Sequence, residues 1–317
     1  MLKAYVDEKS NKPLPNGQEG EEAAVQEKFP SMWLTIWREI KASPPAMVAL
    51  FLFVGIVLLA FIISANIDVD TLTRINLRAL DRAPDWFRGE HFLGTDPGGR
   101  DVVAQLIVGA RTSFTIALAV TFITGVWGVL YGLVAGFYGG HVENVMMRVV
   151  DFFIMVPTMM SVIVFVSIIP NYQTWHFIAI LSLFAWMGRA RLIRSVTLRQ
   201  SALDYVHASK TLGTPNIVII FREVLPNVTS IIVTNFVISL AGNMGMETAL
   251  TILGYGLPFG VPSLGRMISF AANPIVLTQR LWQWLPASIL IFIMILCIYV
   301  VGNAISRAVD PKQQQQK

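Results

Sequence analysis

Hydrophobic and polar positions alternate along this chain on the scale of whole membrane crossings. Residues 46–65 form an uncharged run of roughly 20 residues, the length a helix needs to cross about 30 Å of hydrocarbon. Further apolar runs lie at about 112–134, 149–169, 175–187 and 227–250, and a sixth starts after Trp282 and Trp284 and runs to about Gly302. The pattern predicts an all-α integral membrane protein with about six transmembrane helices. Finer periodicities lie inside the runs. Gly128, Gly132, Gly136 and Gly140 recur every four residues and predict a bare ridge where a neighbouring backbone approaches. Pro157 falls inside the third run and predicts a kink. Asn235, Ser239, Asn243 and Glu247 recur every four residues in the fifth run, and steps of about 400° put them on a stripe that turns by roughly 120°. Polar groups at membrane depth face a water-filled path or another helix by default. Both readings of the stripe stay open: a lining with Glu247 near its outer end, or hydrogen-bonding glue between helices.

The segments between the runs set the domain plan. Residues 1–45 are a polar, turn-rich tail with no apolar stretch of the kind a secretory signal needs. The tail ends in an amphipathic helix at 31–41, where Trp33, Trp37 and Ile40 share a face suited to lipid headgroups. Residues 66–111 are too polar for lipid and read as an extracytoplasmic loop. Residues 112–311 form the main transmembrane domain, and 312–317 a closing tail. Arg189, Arg191, Arg194 and Arg199 make the densest basic cluster and place the loop at 189–226 in the cytoplasm, a topological role. With Arg307 near the other end, both termini are expected on that side. Arg148 and Asp151, three apart, are expected to pair on one helix face.

Composition excludes several classes. Hydrophobic residues make up 54% of the chain and charged residues 14%, against about a quarter charged in soluble domains. Cys297 is the one cysteine, so there is no disulfide framework or cysteine metal site. A net charge of +4 spread through the loops reads as topology, with no nucleic-acid partner. The chain has no GxxxxGK[ST], HExxH or CxxC stretch. No catalytic residue, metal site or bound cofactor is assigned, and any ATP that drives this protein belongs to another chain.

The stretch RQSALDYVHASKTLGTPNIVIIFREVLPN, residues 199–227, organises the rest. Asp204 to Leu212 predicts a helix that Gly213 can end with a positive φ. Thr214 is expected as N-cap and Pro215 at the first position of a second short helix. A bent knob of this kind suits docking better than catalysis. Ala208, Gly213, Leu225 and Pro226 resemble the coupling motif of ABC-importer permeases: Glu-Ala-Ala, three residues, Gly, nine residues, a hydrophobic residue, one residue, Leu-Pro. His207 replaces the Glu, Ser209 the second Ala and Glu223 the hydrophobic residue. The stretches HFLGTDPGGRD at 91–101 and GAR at 109–111, MMRxxD before Pro157, and LGYGLP at 253–258 resemble the C-type permeases of oligopeptide and dipeptide importers. His91, Asp96 and Asp101 are read as fixing a glycine-rich turn rather than holding a metal.

The resemblance covers roughly residues 85–311 and implies a type I ABC importer permease fold. It further implies a heterodimer with a homologous permease, two cytoplasmic ABC ATPase subunits that bind ATP and Mg, an extracytoplasmic peptide-binding protein and surrounding membrane lipid. Coupling to the ATPases is expected through Tyr205, His207, Ala208, Ser209, Lys210, Thr211, Leu212, Gly213, Thr214 and Pro215. The translocation path is expected along Asn235, Ser239, Asn243 and Glu247. The alternatives are a self-sufficient ion-coupled carrier or channel using Glu247 and Asp151, and a membrane scaffold without transport.

Overall fold

The computed structural model describes residues 32–69, 73–85 and 91–309. The expectations for the first 31 residues and for 310–317 lie outside these. Regular structure among the described residues is helical. Helices α1 (Met32–Ala42) and α2 (Pro44–Ser64) meet at Ser43, where Pro44 and Pro45 occupy the first positions of α2 and need no N–H partners. Ile36 and Ile40 bury themselves against Ala304, Ile305 and Ala308 of the last helix, α13 (Leu285–Val309). The expected stripe therefore splits: Ile40 faces protein, while Trp37 is exposed with the Lys41 ammonium over its ring.

Helix α3 (Val102–Tyr138) is longer at both ends than its apolar run. Hydropathy misses its first turns because they carry Gln105 and Arg111, yet Asp101 caps them by accepting from the Ala104 N–H at 2.9 Å. The third run is two helices, α4 (Gly140–Ile154) and α5 (Thr158–Ile168), bent by 73°. Pro157 sits at the break as N-cap of α5, where it removes an N–H and disfavours helical geometry before it. The fourth is likewise a pair, α6 (Thr174–Ala185) and α7 (Met187–Ser201), bent by 40°. Four described helices are long and apolar enough to cross a membrane, or six spans if each bent pair counts as one.

Beyond α7 the chain makes α8 (Asp204–Thr211) and α9 (Asn216–Ile219), which passes through a π-helical turn, Ile220–Val224, into α10 (Leu225–Ile252). Two short helices, α11 (Leu264–Ser269) and α12 (Pro274–Gln279), precede α13. One apolar core joins α2, α3, α10, α11 and α13 through Ala117, Met244, Leu264 and Met294. A second joins α3, α5, α6 and α7 through Val120, Val162, Phe177 and Leu181. A third, at the α8 end, joins Leu133, Ile193, Val206, Ile219 and Val224.

Helices α3 and α7 share the largest helix–helix contact. The glycine ridge makes it: a Cβ on Gly128, Gly132 or Gly136 would fall 2.9, 2.7 or 2.6 Å from the carbonyl oxygens of Trp186, Ala190 and Arg194. Those carbonyls are also four residues apart, so two matched ridges meet backbone to backbone. Gly140 does not belong to the ridge. It lies past the helix end with φ +53° and nothing near its would-be Cβ.

Helix α7 also corrects the reading of the basic cluster. It packs within the bundle, so the segment from 189 is no simple loop. Asp151 pairs with Arg191 of α7 at 2.5 Å rather than with Arg148, because its side chain faces α7 and not along its own helix. Arg194 pairs with Glu143 in the first turn of α4, where a carboxylate also suits the helix N-terminus. At the opposite end of the bundle the glycine-rich turn closes on its own carboxylates. Asp96 accepts from the N–H groups of Gly98 and Arg100, both at 2.8 Å, and from the Gln105 amide. His91 Nδ1 lies 3.0 Å from Asp101. Gln283, Trp282 and Arg280 clasp the loop at Asp81 and Thr95.

Candidate functional site

The segment 204–227 folds into a knob at one end of the bundle. Helix α8 carries Asp204 in its first turn and Lys210 in its last, each of the sign that suits that end of the helix dipole. It ends in a Schellman turn: the Gly213 N–H donates to the Lys210 carbonyl at 3.0 Å, and the Thr214 N–H to the Ser209 carbonyl at 3.1 Å. Gly213 has φ +78°, open to glycine at no steric cost. The second helix starts one residue later than expected. Thr214 spends its N–H closing the turn, and Pro215, with extended backbone, takes the N-cap position before Asn216.

Two faces of the knob differ in kind. The inner face is fastened down. Val206 and Ile219 are fully buried, Lys210 lies over the Phe137 ring at 4.6 Å, and Tyr205 donates to Gln200 at 3.1 Å. Burial pushes the Tyr205 hydroxyl above its usual range, the bond from Asn227 pulls it down and the charge of Glu223 pushes it up, so it stays a neutral donor at neutral pH. The outer face is open. Leu212 is 85% exposed, Ile217 64% and Phe221 47%, flanked by exposed His207, Ala208, Thr211 and Pro215. Three large apolar side chains are thus left exposed on this segment. Leu212 was singled out by its place in the motif. Ile217 and Phe221 lie outside the predicted coupling residues, and their exposure is visible only in the structure.

The polar stripe of α10 is placed between helices. Asn235 Oδ1 accepts from Arg189 Nε at 2.9 Å, and Ser239 lies 3.4 Å from the same oxygen. Asn243 donates to Thr121 of α3 at 2.8 Å. Glu247 is 0% exposed, accepts from Thr251 at 3.1 Å and lies 3.4 Å from the Thr248 hydroxyl, both on its own helix. A carboxyl group buried at that depth needs such partners.

Arg189 is the residue sequence reasoning undervalued. Only 7% exposed, it joins three helices: Nε to Asn235 on α10, and Nη1 to the Thr121 carbonyl at 3.0 Å and Thr124 Oγ1 at 2.8 Å on α3. The available signal was spacing. Its neighbours on the ridge-packing face of α7 are Ala190 and Ile193, so this arginine could not reach water by the route open to Arg199.

An all-helical bundle of straight and bent apolar helices is consistent with the type I fold of ABC permease subunits. A model of the family described as "Binding-protein-dependent transport system inner membrane component" matches residues 128–315, and the chain belongs to that family: it is a multi-pass permease subunit of an ABC importer. The chain is 42% identical over 279 residues to "Oligopeptide transport system permease protein OppC" of Lactococcus lactis subsp. lactis (strain IL1403), which covers 88% of this chain and 94% of the relative. It is 32% identical over 287 residues to "Oligopeptide transport system permease protein AmiD" of Streptococcus pneumoniae, covering 89% and 90%. It is 30% identical over 298 residues to "Dipeptide transport system permease protein DppC" of Bacillus subtilis, covering 93% and 91%. Permeases of this family work with ATPase and binding-protein partners.

Proposed function

We propose that this chain carries oligopeptides or dipeptides across the cytoplasmic membrane as one half of a heterodimer with a homologous permease. Two partner ATPase subunits bind ATP and Mg, and a peptide-binding protein delivers cargo at the far side. Both termini lie with the knob in the cytoplasm. The observation that carries the docking role is the outer face of the knob, where Leu212, Ile217 and Phe221 stand exposed on a turn whose inner face is fixed to the bundle. ATP-driven closure of the ATPases moves this knob, which leads through α9 and the π turn into α10. The peptide cargo rests on the names of the relatives above. Lipid surrounds the spans, and the alternating path runs between the two permeases beside the half-exposed Asn235, Ser239 and Asn243.

The carrier reading is not favoured. Glu247 is bonded to Thr251 and Asp151 is held by Arg191, so neither is an unengaged ion site.

Co-purification with candidate ATPase subunits tests docking. Gly213→Pro is expected to abolish it while the spans still insert, because proline fixes φ near −65° and lacks the N–H that closes the turn. The space around Gly213 is open, so the effect is on the backbone alone. Retention of the ATPases by the proline variant would remove the knob from the docking interface.

A further inference from the structure

Two residues of the knob that depart from the coupling motif meet each other. Ser209 Oγ lies 2.8 and 2.9 Å from the two carboxylate oxygens of Glu223, fourteen positions away. A hydroxyl has one proton, so it donates to one oxygen at a time and can change between them without moving. Either residue alone would be out of place: a half-buried carboxylate beside buried Ile220 and Val224, or a hydroxyl with no acceptor. Together they tie α8 to the π turn.

The π turn is where such a tie matters. Pro226 has no N–H to offer the Arg222 carbonyl, and the helix widens there: the Leu225 N–H reaches back to the Ile220 carbonyl, five residues away. This wider turn interrupts the otherwise continuous α-helix of residues 216–252. Asn227 takes up the Glu223 carbonyl with its side-chain amide at 2.7 Å and lies 3.4 Å from the Tyr205 hydroxyl, which itself donates to Gln200 of α7. Ser209–Glu223 is the member of this chain of contacts that spans from the docking helix to the π turn.

We infer that the Ser209–Glu223 hydrogen bond is a strut that braces the knob across the π turn, so that displacement of α8 reaches α10 rather than being absorbed at the turn. Both are positioning residues. The inference rests on the docking reading above, and the test separates the two. The complete complex, with partner permease, ATPases and binding protein, is reconstituted in vesicles. Three quantities are read: ATPase association, ATP hydrolysis, and uptake of a labelled oligoalanine peptide per ATP hydrolysed. Ser209→Ala is expected to keep association and hydrolysis but to lower uptake per ATP about fivefold, in line with loss of one ordinary hydrogen bond. Ser209→Thr keeps the hydroxyl and Glu223→Gln keeps an acceptor oxygen, and both are expected to hold the wild-type ratio. The double variant Ser209→Ala, Glu223→Leu replaces the polar tie by apolar contact and is expected to regain most of the loss. An unchanged ratio in Ser209→Ala, or equal damage from Ser209→Thr, would overturn the strut. Failure of the wild-type chain to bring down any ATPase would instead overturn the docking reading beneath it.

Discussion

Gly132→Leu is expected to leave little folded protein in the membrane. The Cβ it adds would sit 2.7 Å from the Ala190 carbonyl oxygen, 2.8 Å from the Ile193 Cβ and 2.9 Å from the Arg194 backbone N, and two of those three atoms are main chain. No rotamer change can clear such a contact, so α3 and α7 must separate along their whole ridge. Overpacking a tight core costs about 1–3 kcal/mol even where side chains can adjust, and here they cannot. The cost should reach the upper end or beyond it, a large part of a marginal stability of about 5–15 kcal/mol. Separation also pulls Arg189, on the same helix, from its acceptors on α3. Monodisperse yield after detergent extraction, measured beside Gly55→Leu, checks this. Gly55 of α2 has nothing within 4 Å of its would-be Cβ, and its variant should extract like the wild type. Equal loss for both would show that added bulk, not the α3–α7 contact, is the cause.

Arg189→Ala is expected to give the second largest loss. The substitution deletes the donors of three hydrogen bonds and leaves Asn235 Oδ1, the Thr121 carbonyl and Thr124 Oγ1 facing a void. Interhelical hydrogen bonds in membranes average about 0.6 kcal/mol each, with higher values to about 1.7. A charged donor making three of them should therefore contribute about 2–3 kcal/mol. Arg189→Lys keeps the charge but presents a point rather than a fork, and should recover only part. Thermal unfolding of the purified complex measures both. An Ala variant that melts with the wild type would mean that the three helices are held by packing alone and that the guanidinium is free for another role.

The two variants act on one seam, and the seam also holds the knob in place. Helix α7 leads directly to α8, and the Ser201 hydroxyl at its end lies 3.0 Å from the Leu198 carbonyl of its own helix and 3.2 Å from the Gly136 carbonyl of α3. The knob is thus braced on α3 through α7 on one side and is continuous with α10 on the other. Leu212, Ile217 and Phe221 thus stand on a segment joined to the bundle on both sides, through α7 and through the π turn at Ile220–Val224.

Much of this was legible in the chain. Runs of uncharged residues gave the spans, since hydrocarbon admits few charges whatever the neighbours. Pro157 gave the break between α4 and α5, and Gly213 the end of α8, because both residues act on their own backbone. Partners were not legible. Asp151 chose Arg191 over Arg148, and Glu143 met Arg194, across helices whose relative rotation no local pattern encodes. The start of α3 was hidden for a similar reason: Gln105 looks polar in sequence but spends its amide on Asp96.

By itself, then, the sequence determined the helical class, the apolar runs, the turn at Gly213 and the knob that follows α7, since each depends on propensity, hydropathy or a single residue's allowed φ. Tertiary structure alone decided what the polar groups on the spans bond to. Asn235 and Asn243 of the stripe on α10 met Arg189 and Thr121 only once α7 and α3 were placed beside them, because a hydrogen bond needs a partner within about 3 Å. The same placement turned Ser209 and Glu223 from two departures into one contact. A residue's type sets what it can bond, but only the fold sets what stands opposite it.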